Sequence, residues 1–360
     1  MPKSRKRRLI VLPQFFRFAR SQKIILTYPT RGVTGTGDLP RRPRRHRTPG
    51  RPRRRQAGAG PVKHAPGTAG KPVACPLQIV NDTPAPSRMR TVDEVYGSAF
   101  AEEEAFQAAL SESLGPRGFD LMFDLVAELG MAPGSTALDV GAREAYHCIE
   151  LSRRFGFTVH GIEPVRRHLD NAARVLDALT AAEPEVAARI FMNEGVAQRL
   201  DEPDASIDLI WCRDVLEHVE DLETVFAEFG RVLRPGGTAV IYQMTATDWL
   251  TPAEAARLWP PAGIHAASVD PQRFEAAITA SGLLIRQCIQ LHGEWRERAE
   301  EDGTGLSSRQ LLRISRLLRN RPAYENRFGT DAYEAMLTDS LWGVYQMIGK
   351  LNPRIYVLSR

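Results

Sequence analysis

Beyond residue 90, apolar residues recur at every third or fourth position in some stretches and form short continuous runs in others. That spacing sorts the chain into helices and strands. TVDEVYGSAFAEEEAFQAALSESL (91–114) and FDLMFDLVAEL (119–129) carry the helical period, with a turn at Gly115-Pro116 between them. Strands and helices then alternate. TALDV (136–140) precedes a helix through IELSRRFG, and TVHGIEP (158–164) precedes one through VRRHLDNAARVLDAL. RIFMN (189–193) and IDLIWC (207–212) read as two further strands, and TAVIYQM (238–244) follows a turn at Pro235-Gly236-Gly237. Five apolar strands separated by helices predict a parallel sheet covered on both faces. LLIRQCIQL (283–291) supplies a sixth strand and PRIYVLSR a last one, with helical spacing over residues 294–350 between them. The expected fold is therefore α/β: a doubly wound, mostly parallel seven-stranded sheet with a helical insertion before the last strand. The expected divisions are a tail over 1–90, a main domain with its N-terminal helices over 91–293, the insertion over 294–350, and the final strand over 351–360.

Charge separates the tail from the rest. Residues 1–90 hold 22 Lys and Arg against Asp38 and Asp82, leaving +20, whereas the other 270 residues hold 26 basic and 41 acidic side chains, leaving −15. RRPRRHRTPGRPRRRQAGAGP (41–61) has no apolar period to offset the entropy of ordering, so the tail is expected to be disordered. It reads either as a nucleic-acid or membrane-surface arm, or as a solvated linker or upstream extension with Met89 as the natural start. The second pair is favoured, because blocks of like charge are commonly disordered tails. An acidic globular part argues against a nucleic-acid partner. Pro13 interrupts the short apolar run after the basic start, which makes a poor secretory signal, and no 18 apolar residues run together to span a membrane. Cys75, Cys148, Cys212 and Cys288 are scattered without a CxxC pair, which predicts neither a disulfide framework nor a zinc site and suits a reducing cytoplasm.

The stretch ALDVGAREAYHC (137–148) is where the chemistry enters. A dinucleotide loop needs several glycines so that backbone amides can approach a pyrophosphate. Here Gly141 is the one glycine, and Asp139 and Glu144 would repel phosphate. Carboxylates at that place suit a ligand with a cationic inner end, bearing an ammonium and a sulfonium. Glu163, at the end of the second strand, is placed to accept bonds from two ribose hydroxyls. Acid, turn glycine and acid describe a pocket for S-adenosylmethionine.

At this point the chain resembles the class I S-adenosylmethionine-dependent methyltransferases, in particular the branch that methylates small molecules. The likeness runs from about Thr91 to Gly237. It is strongest in LDVGAREAYHCIELSRRFGFTVHGIEP and in IDLIWCRDVLEHVEDLETVFAEFGRVLRPGG (207–237). The resemblance implies the Rossmann-like methyltransferase fold, with Asp139, Gly141 and Ala142 at the methionine end and Glu163 on the ribose. It implies Gly195, Val196 and Ala197 at the adenine, and Arg213 beside the sulfonium through its backbone. Arg143 and Ala145 stand where the family has glycines, and Val196 where an acid often binds the adenine amine, a role open to Glu194.

Methyl transfer is an in-line displacement, so positioning does much of the work, and a hydroxyl nucleophile also needs a base. His218 in DVLEHV is the candidate nearest the methyl group, with His292 and Glu294 in LHGEW as second candidates. For His218 the plainer reading is a helix-start histidine satisfied by backbone, and for the other two a solvated loop. Trp295, Trp342 and Tyr345 would line an apolar acceptor pocket or belong to the core. The expected activity is cytoplasmic methylation of oxygen or nitrogen of a small molecule, with no metal. Alternatives are a nucleic-acid or protein methyltransferase using the basic tail, non-methylating cofactor chemistry such as cyclisation, and an inactive binding protein.

Overall fold

The computed structural model describes residues 88–94, 96 and 103–360. Residues 1–87 of the tail, Cys75 among them, and part of the first expected helix lie outside these residues. Of that helix, α1 (Glu103–Leu110) is described; α2 (Leu121–Glu128) follows and buries Met122, Phe123, Leu125 and Val126.

Seven strands form one sheet: β1 (Thr136–Val140), β2 (Thr158–Glu163), β3 (Ile190–Glu194), β4 (Ile207–Arg213), β5 (Leu233–Ala246), β6 (Leu284–Gln290) and β7 (Leu351–Ser359). Their spatial order is β3-β2-β1-β4-β5-β7-β6, with β7 antiparallel to both of its neighbours and the other pairs parallel. The predicted doubly wound sheet is present. The sequence placed β5 at 238–244, but pairing begins at Leu233. Ile207 pairs with Leu233 and Leu209 with Thr238, so Arg234–Gly237 bulge out of the ladder. Only glycine fits at Gly237, where a Cβ would lie 2.9 Å from the Arg234 carbonyl oxygen.

Helices α3 (Tyr146–Phe155), α4 (Arg166–Ala182), α5 (Pro184–Ala187), α6 (Leu222–Val232), α7 (Pro252–Ala262) and α8 (Pro271–Ala280) cover the sheet. Two large apolar clusters result. One joins β1, β2, β4 and β5 to α2 and α3; the other joins the sheet to α6 and α8. The central strands are buried on both faces, as their unbroken apolar runs require.

The helical period over 294–350 becomes four helices: α9 (Glu294–Glu301), α10 (Leu306–Arg319), α11 (Arg321–Phe328) and α12 (Thr330–Met347). Ile314, Leu317, Tyr333 and Leu337 give them a small core of their own. No helix among the described residues is long and apolar enough to cross a membrane. Cys148 and Cys212 are free and buried, while Cys288 on β6 is disulfide-bonded, a bond that the scattered spacing did not anticipate. Scattered spacing does not reveal which cysteines a fold brings within bonding distance.

Candidate functional site

The parallel strands β1, β2 and β4 end on one edge of the sheet, where such folds place their ligands. The loop leaving β1 is pinned there: Gly141 and Ala142 donate their amides to the Ile162 carbonyl at 2.9 and 3.0 Å. Its backbone is left-handed at Gly141 (φ 76°), Arg143 (φ 47°) and Ala145 (φ 65°). Non-glycine residues pay roughly 1–2 kcal/mol for that conformation. Arg143 and Ala145 thus adopt a backbone that favours glycine, and neighbours hold them to it. The Arg143 amide donates to Glu163 Oε2 at 3.0 Å, and the Ala145 amide to the Ala142 carbonyl at 2.8 Å. At Gly141 a Cβ would sit 2.3 Å from Val215 Cγ2, so only glycine lets this loop meet the segment after β4.

Two carboxylates lie beneath the loop. Asp139 is 1% exposed and accepts from the Cys148 thiol at 3.2 Å. Burial pushes its carboxyl up to about 7; the thiol opposes the shift and the charge of Glu163 adds to it. Glu163, 3% exposed, accepts from the amides of Arg143 and Val165 and meets His168 Nδ1 at 3.2 Å. The adenine-side loop is adjacent, because the Gly195 amide points to the Glu163 carbonyl at 3.4 Å. Ala197 is buried and Val196 exposed, while Glu194 lies in register with Glu163 and within 3.7 Å of Arg166. The fold therefore brings Asp139, Gly141, Ala142, Glu163 and Gly195 together.

Arg213 ends β4, and its side chain is 11% exposed. The guanidinium lies 5.3–5.8 Å from the rings of Phe119, Tyr242 and Trp295, and Nη1 meets His147 Nε2 at 3.2 Å. Loss of water, then Arg213 and Arg143, pushes His147 down to about 3, so it stays neutral at physiological pH. The next residue, Asp214, has a left-handed backbone (φ 54°). Glu217 is 3% exposed, and its Oε2 has no hydrogen-bond partner among the described residues. Burial and then the Asp214 charge push its carboxyl well above the usual range. His218 is exposed, and its Nδ1 meets the Gly263 carbonyl at 2.9 Å. A proton on its ring would act electrostatically on Asp214.

The insertion closes on this edge. Trp295 is 1% exposed and stacks on Tyr242 at 4.8 Å and 13°, which makes it core. Arg296 donates from Nε to Gln346 Oε1 and from Nη1 to Gln310 Oε1, at 2.8 and 2.9 Å. Gly343 makes room for this arrangement, since a Cβ there would fall 1.8 Å from Gln310 Oε1. Arg296 is close enough for its charge to act on Tyr242 and Asp214. Trp342 and Tyr345 are half-buried and pack against the larger sheet cluster, Trp342 edge-on to Trp259 at 6.2 Å.

His292 stands elsewhere. It shares a cavity of about 80 Å³ with Trp249, Gln290 and Asn352, and its amide donates to Asn352 Oδ1 at 2.9 Å. Glu294 is bound to Arg117, whose guanidinium holds its carboxyl below the usual range. Neither is joined to the Asp214–His218 segment by any hydrogen bond among the described residues.

His147, Asp214, Glu217, Tyr242 and Arg296 escaped the sequence reading. Asp214 could have been found from its place immediately after a predicted strand. Arg296 could not, because nothing local ties the insertion to β4.

Residues 116–287 match a family model described as a methyltransferase domain. Ubiquinone biosynthesis O-methyltransferase of Paracidovorax citrulli is 36% identical over 110 residues, which are 30% of this chain and 44% of that protein. Phosphoethanolamine N-methyltransferase 2 of Caenorhabditis elegans is 26% identical over 129 residues, 36% of this chain and 28% of that protein. The chain thus spans less than half the length of these curated relatives. Among solved structures, the cyclase SpnF superposes with a TM-score of 0.51 at 19% identity, over 69% of this chain and 84% of that one. At that identity the likeness is one of fold.

Proposed function

We propose that this chain is a class I S-adenosylmethionine-dependent methyltransferase, as the methyltransferase-domain match over residues 116–287 supports, and that it moves a methyl group from S-adenosylmethionine to an oxygen or nitrogen of a small molecule. One observation carries the reading. The loop after β1 keeps glycine-type backbone at Arg143 and Ala145, and the buried Glu163 carboxylate holds it there. A strand and turn with no ligand to meet would have no reason to retain that strain.

The residues present fit the cofactor. Glu163 accepts bonds at both oxygens, yet two carboxylate oxygens have about four acceptor positions, so one remains for a ribose hydroxyl. Asp139 and Glu144 would take the ammonium, Gly141 and Ala142 the methionine backbone, and Gly195, Val196 and Ala197 the adenine. The Arg213 backbone would lie by the sulfonium. When bound, the cofactor supplies a methyl group on cationic sulfur, open to in-line displacement.

We assign the base to His218. The Gly263 carbonyl can only accept, so in the neutral ring Nδ1 carries the proton and Nε2 keeps a lone pair for the acceptor's proton. Asp214 would steady the resulting imidazolium. The helices of 294–350 would cover the acceptor and exclude water, with Trp295 and Arg296 as the parts nearest the strand ends. His292 becomes the weaker candidate, because its partners belong to another cavity.

Calorimetric titration tests the cofactor. Glu163→Ala should weaken S-adenosylmethionine binding by roughly 1.5–3 kcal/mol, the scale of lost charge-assisted hydrogen bonds. Undiminished affinity removes Glu163 from the site, and tighter binding of NAD overturns the reading. Incubating the purified chain, labelled cofactor and cell extract then tests the acceptor. Label should enter small molecules, more slowly in His218→Asn. Label found in nucleic acid or protein would reverse the acceptor assignment.

A further inference from the structure

The helix α10 is amphipathic, and its outer surface is unusual for a protein-water boundary. Ser307, Gln310, Ile314 and Leu317 face inward, onto α12. Leu311, Leu312 and Leu318 point outward, 59%, 49% and 54% exposed, and Phe328 at the end of α11 is 46% exposed. Leu311 and Leu318 are seven residues apart and share one stripe; Leu312 lies a further 100° around the helix. The rest of the outer arc holds Arg309, Arg316 and Arg319 with Ser308 and Ser315, half-buried Arg313 borders it, and α10 has no acidic residue. None of these four arginines pairs with a carboxylate among the described residues. By contrast, Arg321 at the start of α11 binds both Glu325 and Glu334. Across 306–328 there are six arginines and one acid, in a chain whose residues 91–360 carry −15 overall.

We propose that the outer face of α10, with Phe328, docks on an anionic phospholipid surface. Leucines set among arginines match a bilayer interface, where side chains enter the acyl boundary and guanidinium groups meet lipid phosphates. Nucleic acid would use the arginines but would leave the leucine stripe in water. A second copy would bring like-charged helices together. The docked helix presents the insertion to the bilayer, a source of apolar small molecules. The lipid contact itself stands apart from the methyl-transfer reading and can fail without it.

The basic tail also attracts anionic vesicles, so the experiment needs a local probe. In the full chain, Leu312→Cys is labelled with an environment-sensitive fluorophore, and the unsubstituted chain is labelled alongside to subtract the native cysteines. The label should shift to the blue on phosphatidylcholine vesicles containing phosphatidylglycerol, and not on phosphatidylcholine alone. Leu311→Ser with Leu318→Ser, in exposed positions that leave the melting temperature unchanged, should weaken partitioning roughly tenfold or more and abolish the shift. Arg313→Gln with Arg316→Gln should weaken binding most at low salt. If vesicles bind the chain while the label at position 312 stays in water, the tail is responsible and the proposal falls. A shift produced by duplex DNA and insensitive to the leucine substitutions also overturns it.

Discussion

The loop that leaves β1 and the insertion between β6 and β7 both face the carboxyl edge of the sheet, but they are held by different means. The loop is joined by backbone amides over short separations: Gly141 and Ala142 to Ile162, Arg143 to Glu163. The insertion is joined by side chains over long ones: Trp295 on Tyr242, Arg296 on Gln310 and Gln346, and Gln310 over Gly343. The loop holds left-handed backbone at Arg143 and Ala145 because its backbone contacts do not depend on those side chains. The insertion has no such tolerance, since each contact names a residue.

The largest expected effect falls on the insertion. Trp295→Ala should lower stability by about 3–5 kcal/mol, the usual cost of removing a buried indole, read as a drop in the melting transition. Cofactor affinity of the remaining folded protein should change little. A matching loss of affinity would mean that loop and insertion form one cooperative unit, and the contrast would break.

Asp139 sharpens the other side. Its carboxyl titrates near 7 in the fold against 3.8 for the free group, so its contribution to stability is full below about pH 4 and is lost as pH rises through 7. Asn cannot ionise. Without cofactor, Asp139→Asn should exceed the native chain in stability by up to about 4 kcal/mol at pH 8, with the gap closing toward pH 4. Urea denaturation across that range checks it, and a gap independent of pH would show an ordinary, ionised carboxylate.

The smallest effect concerns the strained loop. Ala145→Gly relieves a left-handed residue by roughly 1–2 kcal/mol but loses a buried methyl and gains unfolded-chain entropy, so the net change should lie within about 0.5 kcal/mol of zero. Ala142→Gly has no such relief and should cost about 1–2 kcal/mol. Equal losses at both positions in denaturation curves would show that the loop stores no strain.

Much of the sheet and the cofactor edge was legible along the chain. Unbroken apolar runs mark strands buried on both faces, and an acid at the end of such a run lands on the ligand edge by topology alone, which is how Asp139 and Glu163 stand out. The same local logic reaches Asp214 but not what its neighbours do to it. Trp295 shows the limit from the other direction. Helical spacing left it open between pocket wall and core, and only its stack on Tyr242, 53 positions away, decides for core.

Periodicity is a property of neighbouring residues, so the sequence by itself determined the strands, the parallel winding, the loop after β1 and the separation of a basic tail from an acidic domain. Long-range side-chain contacts are absent from that signal. The tertiary structure alone decided that β7 runs antiparallel between β5 and β6. It alone set Arg213 among three aromatic rings, brought Arg296 within electrostatic reach of Asp214, and left the leucines of α10 facing outward. Each depends on which surfaces are buried against which, and burial is settled only when the whole chain has packed.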